Sequence, residues 1–264
     1  MTAAPLAGQT AIVTGGGRGF GRAIAETLAS LGAAVVIASR NAPELDDAVK
    51  AIKAGGGRAL AQTADVADER QVQELVRAAE RWVGPPSILV NNAGVLDPMG
   101  PLAETSSVSW LRSIAINVGG TYLVTRAVLP GMLDRDYGRV VNISSGAADT
   151  ASAGWSSYCA AKAAIDQLTR VLALELEASG VTVAAFHPGF MDTAFQERIR
   201  QASPEQFPRV EEYREAHRQG LVKDPHDPAR VVAYLCLPPT ARNGAILEIH
   251  DGALVKDAEA ALGG

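Results

Sequence analysis

Tyr158 and Lys162 stand four residues apart in a segment with helical periodicity, which places both side chains on one face with Cβ atoms roughly 5–6 Å apart. A free phenol has a pKa near 10, too high for efficient proton exchange at neutral pH. A fixed ammonium beside it favours the phenolate, and so does the positive ring of an oxidised nicotinamide. Lowering the pKa by about 3 units takes about 4 kcal/mol of differential stabilisation, a reasonable amount in a cleft of low dielectric. The pair therefore reads as a proton donor and acceptor for carbonyl–alcohol interconversion. Two serines, Ser144 and Ser145, follow the run Arg139–Ile143 and offer hydroxyls that could hydrogen-bond a substrate oxygen. Asn117 lies in the helical stretch Val108–Leu129, just before Gly119-Gly120. Each glycine weakens a helix by about 1 kcal/mol. A local distortion there would free a carbonyl for water.

A second constellation surrounds the first strand. Thr14-Gly15-Gly16-Gly17-Arg18-Gly19-Phe20-Gly21 joins a short apolar run to a helical segment. Glycines permit a tight turn and close approach to a pyrophosphate, and the helix N-terminus offers free N–H groups and a positive dipole end. The spacing is G-x-x-x-G-x-G rather than the commoner G-x-G-x-x-G. The second strand closes on Ala38-Ser39-Arg40-Asn41, with no acid before Glu44. A carboxylate at this point would take the ribose 2′-hydroxyl of NAD and repel a 2′-phosphate, which a guanidinium binds. Arg40, with Arg18 in the loop, therefore points to NADP(H). Asp65-Val66, after the third strand, suits the adenine edge.

The elements that must position these groups alternate. Thr10–Thr14, Ala33–Ser39, Arg58–Gln62, Ser87–Val90, Arg139–Ile143, Val181–Phe186 and Ala245–Ile249 are short runs, mostly apolar throughout, as expected of strands covered on both faces. Between them, Leu75, Val76, Ala79 and Val83 share a helix face after Asp68. Ala161, Ile165, Leu168, Leu172 and Leu176 do the same after Ser157, read as the N-cap. Strands alternating with helices imply parallel pairing through right-handed crossovers. The expectation is an α/β fold: one Rossmann-type domain over 1–264, a doubly wound parallel sheet of about seven strands with helices on both faces. The polar, proline-bounded stretch Asp192–Asp224 interrupts the rhythm and reads as a lid over the substrate.

Composition narrows the function. With 264 residues, 47% of them hydrophobic, and a net charge of −5, the chain can bury a large core and is not disordered. Mild acidity argues against non-specific nucleic-acid binding, no apolar run approaches a bilayer span, and MTAAPLAGQT has no signal-peptide pattern. Cys159 and Cys236 form no metal spacing, and neither do His187, His217, His226 and His250, so no metal is expected. A cytoplasmic protein without nucleic-acid or membrane partners is the expectation.

Taken together the motifs resemble those of the short-chain dehydrogenase/reductase family, its shorter single-domain branch, over about residues 8–252. They are TGGGRGFG at 14–21, Asp65, NNAG at 91–94, Asn117, NISS at 142–145, YCAAK at 158–162 and HPGFMDT at 187–193. The resemblance implies that Tyr158 is the general acid/base and that Ser145, thirteen residues earlier, polarises the carbonyl. It further implies that Lys162 binds the nicotinamide ribose and lowers the tyrosine pKa, while Asn117 holds a relay water. Asn91, Asn92, Ala93 and Gly94 would brace the sheet and line the adenosine ribose. Pro188, Gly189, Phe190 and Thr193 would hold the nicotinamide amide. Gly15, Arg18, Gly19, Phe20, Gly21, Ser39, Arg40, Asp65 and Val66 complete the coenzyme site. Phe20 departs from the aliphatic residue common in this branch, and Ala253 from a common glycine. Members commonly form tetramers through the helices that here carry Asn117 and Tyr158.

The leading reading is an NADP(H)-dependent reductase of a ketone or aldehyde, reversible as an alcohol dehydrogenase, acting on a small-molecule substrate. A non-catalytic NADP(H)-binding redox sensor is the alternative from another class. It has no need of Asn117, Ser145, Tyr158 and Lys162 together. An enoyl reductase ranks lower, because the family's enoyl reductases usually space the tyrosine and lysine farther apart.

Overall fold

The computed structural model describes residues 4–238 and 242–263. Seven strands form one all-parallel sheet in the order β3-β2-β1-β4-β5-β6-β7. They are β1 (Thr10–Thr14), β2 (Ala34–Ser39), β3 (Arg58–Thr63), β4 (Ile88–Asn91), β5 (Gly138–Ile143), β6 (Val181–His187) and β7 (Ile246–Glu248). Each lies within a residue or two of its expected run. The reason is visible in β1, where Ala11 and Val13 face one layer and Ile12 the other, all fully buried. Alternate residues point to opposite faces, so a sheet sandwiched by helices needs apolar residues at every position.

One helical layer holds α1 (Gly19–Ser30), α2 (Ala42–Ala54), α9 (His226–Leu235) and α10 (Gly252–Leu262). The other holds α3 (Glu69–Val83), α5 (Gly120–Leu133) and α6 (Ser156–Glu175). Asp68 caps α3, accepting from the Gln71 N–H at 3.1 Å. Strand order reverses between β2-β1 and β4-β5, which opens a crevice at the carboxyl ends of β1 and β4, the place where open α/β sheets take ligands.

Two local expectations are corrected. Ser157 does not cap α6: the helix starts at Ser156 after Trp155, and Ser157 is fully buried in its first turn. The stretch Val108–Leu129 is not one regular helix. It divides into α4 (Ser107–Ile114), a π-turn over Ala115–Gly119, and α5. The wide turn falls where Asn117 and the glycine pair weaken the ladder. The segment 192–224 folds into α7 (Ala194–Arg200) and α8 (Val210–Arg218), closed by a bridge between Met191 and Lys223.

Candidate active site

The switch-point crevice is a cleft of about 1340 Å³. Behind it, the Thr14 hydroxyl accepts the Asn92 and Ala93 N–H groups at 3.0 Å each, so the ends of β1 and β4 are tied at one atom. Asn92 donates to the Thr14 carbonyl at 2.9 Å and to the Gly15 carbonyl at 3.3 Å. Gly15 and Gly19 have φ of +67° and +52°, a region L side chains rarely adopt. A Cβ at Gly21 would lie 2.2 Å from the Gly15 carbonyl oxygen. The loop therefore closes tightly on the first turn of α1, whose N-cap Arg18 supplies no side-chain cap. Backbone N–H groups remain at that end for an anion, and the cradle fits the pyrophosphate of a dinucleotide.

At one end of the cleft lie Arg18, Ser39 and Arg40, with Asp65 and Val66 beside them. Arg40 is exposed. Arg18 meets Glu44 at 3.3 Å, with 71% of its side chain still exposed. The Asp65 carboxylate is engaged locally: one oxygen accepts the Ala67 N–H at 3.0 Å, and the other pairs with Arg112.

At the other end Ser145, Tyr158 and Lys162 converge with Pro188, Gly189, Phe190 and Thr193. Lys162, nearly buried, donates to the Ile143 carbonyl at 2.7 Å and sits 5.5 Å from the centre of the Tyr158 ring. Burial pulls its ammonium down to about 8, against the opposing charge of Asp166. Burial pushes the Tyr158 phenol above its ordinary value, and a hydrogen bond with Ser145 offsets only part of that rise. In the protein alone the phenol is thus held neutral, and Lys162 does not overcome its desolvation. The acidification expected from Lys162 together with an oxidised nicotinamide ring therefore concerns the coenzyme-bound site. Ser144 is 2% exposed and donates to the Lys162 carbonyl, so the downstream serine is the one near the phenol.

Two expected site residues do not line the cleft. Asn91 is buried on β4, donating to Thr125 and to Asn142 at 2.9 Å each. It braces the sheet, as expected, and its side chain lies outside the cleft lining. Asn117 sits behind the cleft in the π-turn. Its amide grips the loop after β4, accepting from the Val95 N–H and donating to the Val95 carbonyl, both at 2.9 Å. Its carbonyl accepts the Thr121 hydroxyl at 2.8 Å. A Cβ at Gly94 would press to 2.8 Å on the Asn117 amide oxygen, so the two motifs are fitted to each other.

The remaining wall is aromatic. Trp155 stacks on Phe207 at 4.2 Å, Tyr213 crosses both, and Phe195 lies 5.7 Å from Tyr158. Sequence reasoning missed Tyr213 and the pair Arg209–Ser152 (3.1 Å), which also line the cleft. No spacing links them, because the 192–224 segment folds back over Trp155 only in three dimensions. Thr14 was visible as the polar end of a strand but not as the tie between two loops.

A doubly wound sheet whose cleft joins a glycine cradle to a phenol is the architecture of nicotinamide-dependent oxidoreductases. The chain belongs to the short-chain dehydrogenase family, whose model, short chain dehydrogenase, matches residues 9–204. A short chain dehydrogenase of Pseudocercospora fijiensis is 38% identical over 88% of this chain and 77% of its own length. The 3-oxoacyl-[acyl-carrier-protein] reductase of Pseudomonas aeruginosa is 34% identical over 76% of this chain and 81% of its own. Among solved structures, an actinorhodin polyketide ketoreductase with NADPH superposes with a TM-score of 0.82 at 32% identity, over 91% of this chain and 95% of its own. Among the described residues no helix is long and apolar enough to cross a membrane.

Proposed function

We propose that the protein reduces a ketone or aldehyde to an alcohol, reversibly, with NADP(H) as coenzyme. The reading rests on one observation above all: Ser145, Tyr158 and Lys162 meet in the same cleft as the glycine cradle. Gly15, Gly19, Phe20 and Gly21 would hold the pyrophosphate at the start of α1, and Ala93 and Gly94 the adenosine ribose. Asp65 and Val66 would flank the adenine, with Pro188, Gly189, Phe190 and Thr193 around the nicotinamide amide. Ser39, Arg40 and Arg18 would take a ribose 2′-phosphate, which two guanidiniums with exposed surface suit by charge.

A nicotinamide held there would supply or accept the hydride at the carbonyl carbon, while the chain's own residues handle the carbonyl oxygen and its proton. Ser145 donates a hydrogen bond to the substrate oxygen and orients it. Tyr158 delivers the phenolic proton to that oxygen during reduction and recovers it during oxidation. Lys162 would hold the ribose, and its charge would then act on the phenol together with an oxidised nicotinamide ring. Asn117 keeps the π-turn and the loop after β4 in register, and its carbonyl, which already accepts the Thr121 hydroxyl, would also accept from a relay water. Aromatic side chains of the 192–224 lid exclude bulk water, which strengthens each of these interactions.

The chain acts in this reading as one catalytic unit over 1–264. It would also pack against copies of itself, as a tetramer. Val108, Leu111 and Tyr122 on α4–α5 and Val171 and Leu174 on α6 are all more than 40% exposed, which supports apolar contacts between copies along those helices. The native mass in solution checks this.

The deciding experiment is Tyr158→Phe. It should lower kcat by about 10²–10⁴-fold while leaving NADPH binding within about two-fold. Steady-state NADPH oxidation over a panel of carbonyl compounds, with fluorescence titration of NADPH, reads both. Unchanged turnover overturns the assignment. NADPH binding without turnover by the wild type on any carbonyl would favour the sensor.

A further inference from the structure

The carboxyl ends of β5, β6 and β7 carry a group of side chains outside that mechanism. His187, the last residue of β6, is buried with only 4% of its side chain exposed. Its Nε2 meets Asp166 Oδ2 at 2.9 Å, a carboxylate on α6 that is itself buried. Its Nδ1 has no hydrogen-bond partner among the described residues, although it is equally shielded from water. That nitrogen faces two acids: Glu248 Oε1 at the end of β7 is 3.6 Å away, and Asp149, after the short turn that follows Ser145, completes the group. One ligand atom from each of Asp149, His187 and Glu248 lies within 4.8 Å of the others.

The electrostatics leave something out. With Nε2 engaged by Asp166, Nδ1 is the nitrogen left toward Glu248, and no hydrogen-bond partner reaches it among the described residues. Among the described residues neither Asp149 nor Glu248 pairs with a lysine or arginine. The other oxygen of Asp166 has no hydrogen-bond partner among the described residues either, and Lys162, one helical turn away, acts on it only through space, so the whole group is short of positive charge. A buried imidazole nitrogen without a donor, set beside two carboxylates, is a place where a bound cation is favoured.

We infer that Asp149, His187 and Glu248 form a binding site for a first-row divalent cation of the Zn²⁺ type, with Asp166 as the group that orients the imidazole. A histidine that donates its second nitrogen to a carboxylate while the first ligates is the usual arrangement around protein-bound metals. One nitrogen and two carboxylate oxygens favour Zn²⁺, Co²⁺ or Mn²⁺ over Mg²⁺ and Ca²⁺, which take oxygen ligands. Ligands about 2.0–2.2 Å from a tetrahedral ion lie roughly 3.3 Å apart. The Glu248–His187 separation is already close to that. Asp149 and Glu248 are exposed and can rotate to close the rest, while His187 is fixed by its partner. The ion would tie three adjacent strand ends together directly beneath Pro188 and Gly189.

The test needs neither coenzyme nor substrate, so it stands apart from the proposed reaction. The full-length protein, stripped with chelator and dialysed, is titrated calorimetrically with Zn²⁺, and with Mg²⁺ as the control. One Zn²⁺ per chain is expected, with affinity lowered at least ~10-fold in Asp149→Asn and in Glu248→Gln, and ~10–100-fold in Asp166→Asn. Circular dichroism confirms that the variants fold. Nitrogen-15 NMR supplies a measurement on the unaltered chain, since Zn²⁺ should move the His187 Nδ1 resonance and leave His217, His226 and His250 in place. The inference is overturned by the absence of a bound ion or by equal affinity in the Asp149 and Glu248 variants. Mg²⁺ binding as tight as Zn²⁺, or a His187 resonance that stays imidazolium-like throughout the titration, overturns it as well.

Discussion

At the scale of single residues, the choice of coenzyme turns on what stands at the end of β2. Ser39 and Arg40 occupy the position where a carboxylate would select a 2′-hydroxyl, and Arg40 is exposed toward the cleft. Replacing Arg40 with Asp exchanges attraction for repulsion at one phosphate. A charge-assisted contact of about 1.5–3 kcal/mol is lost, so the NADP-to-NAD preference should fall by at least ~10-fold in kcat/KM. Arg18 is expected to retain part of the preference, and Arg18→Ala with Arg40→Asp should remove the remainder. Parallel kcat/KM measurements with the two coenzymes check this, and a wild type that already prefers NAD refutes the reading of β2. The sequence carried this information because the selecting residue directly follows an apolar strand. It did not carry the displacement of Asn91 and Asn117 from the cleft. Each is an amide beside residues that do line it, and only the register of β4 and the π-turn decides which way the side chain faces.

Elements were legible wherever their pattern was dictated by burial on two faces. The central strands fell near their expected bounds because almost all of their positions are buried between helix layers, whereas the edge strands β3 and β7 are only partly covered. The α6 start was displaced, because the turn before it is set by tertiary contacts. A Cβ at Gly154 would come within 2.1 Å of the Gln206 carbonyl, so this turn packs directly against the 192–224 segment. That segment was recognisable as an interruption, yet its inner face was not. Phe207, Val210, Ile199 and Tyr213 close on Trp155 and Tyr158 to form a cluster of their own. Phe207 is fully buried and stacked on Trp155, so Phe207→Ala should cost about 3–5 kcal/mol locally and loosen the lid. KM for the carbonyl substrate should rise several-fold with little change in NADPH affinity. By contrast, Arg198 binds Asp97 at 2.8 Å across the same boundary with both side chains half exposed, and such pairs contribute roughly 0–1 kcal/mol. Arg198→Ala should therefore leave the melting temperature almost unchanged. Thermal melts and Michaelis kinetics on the two variants distinguish packing from ion pairing as the force that seats the lid.

For the molecule as a whole, two buried groups pull its alkaline stability in opposite directions. Cys236, at the end of α9, is fully buried, and burial pushes its thiol up to about 12 from an ordinary 9.0, with Arg139 opposing. Between pH 9 and 12 the unfolded chain sheds this proton and the folded one keeps it, so stability falls as pH rises. Lys162 runs the other way. Its ordinary value of 10.5 is drawn down to about 8, so between those values the unfolded chain holds a proton that the folded chain has lost. Stability then rises with pH. Each effect approaches about 1.4 kcal/mol per pH unit where it acts alone. From pH 8 to 9 only the lysine acts and the coenzyme-free protein should gain stability. From 9 to 10 the two nearly cancel, and above 10 the downward trend wins, as the thiol is joined by Tyr137, Tyr158 and Tyr213, whose phenols burial pushes up. Cys236→Ala should convert the plateau into a continued rise up to pH 10, whatever its cavity costs at neutral pH, because the slope and not the height reports the proton. Lys162→Met should erase the gain between pH 8 and 9. Chemical denaturation of the three proteins at half-unit intervals from pH 7 to 11 measures these slopes. A plateau that survives in Cys236→Ala would mean that the thiol ionises as readily inside the fold as outside it.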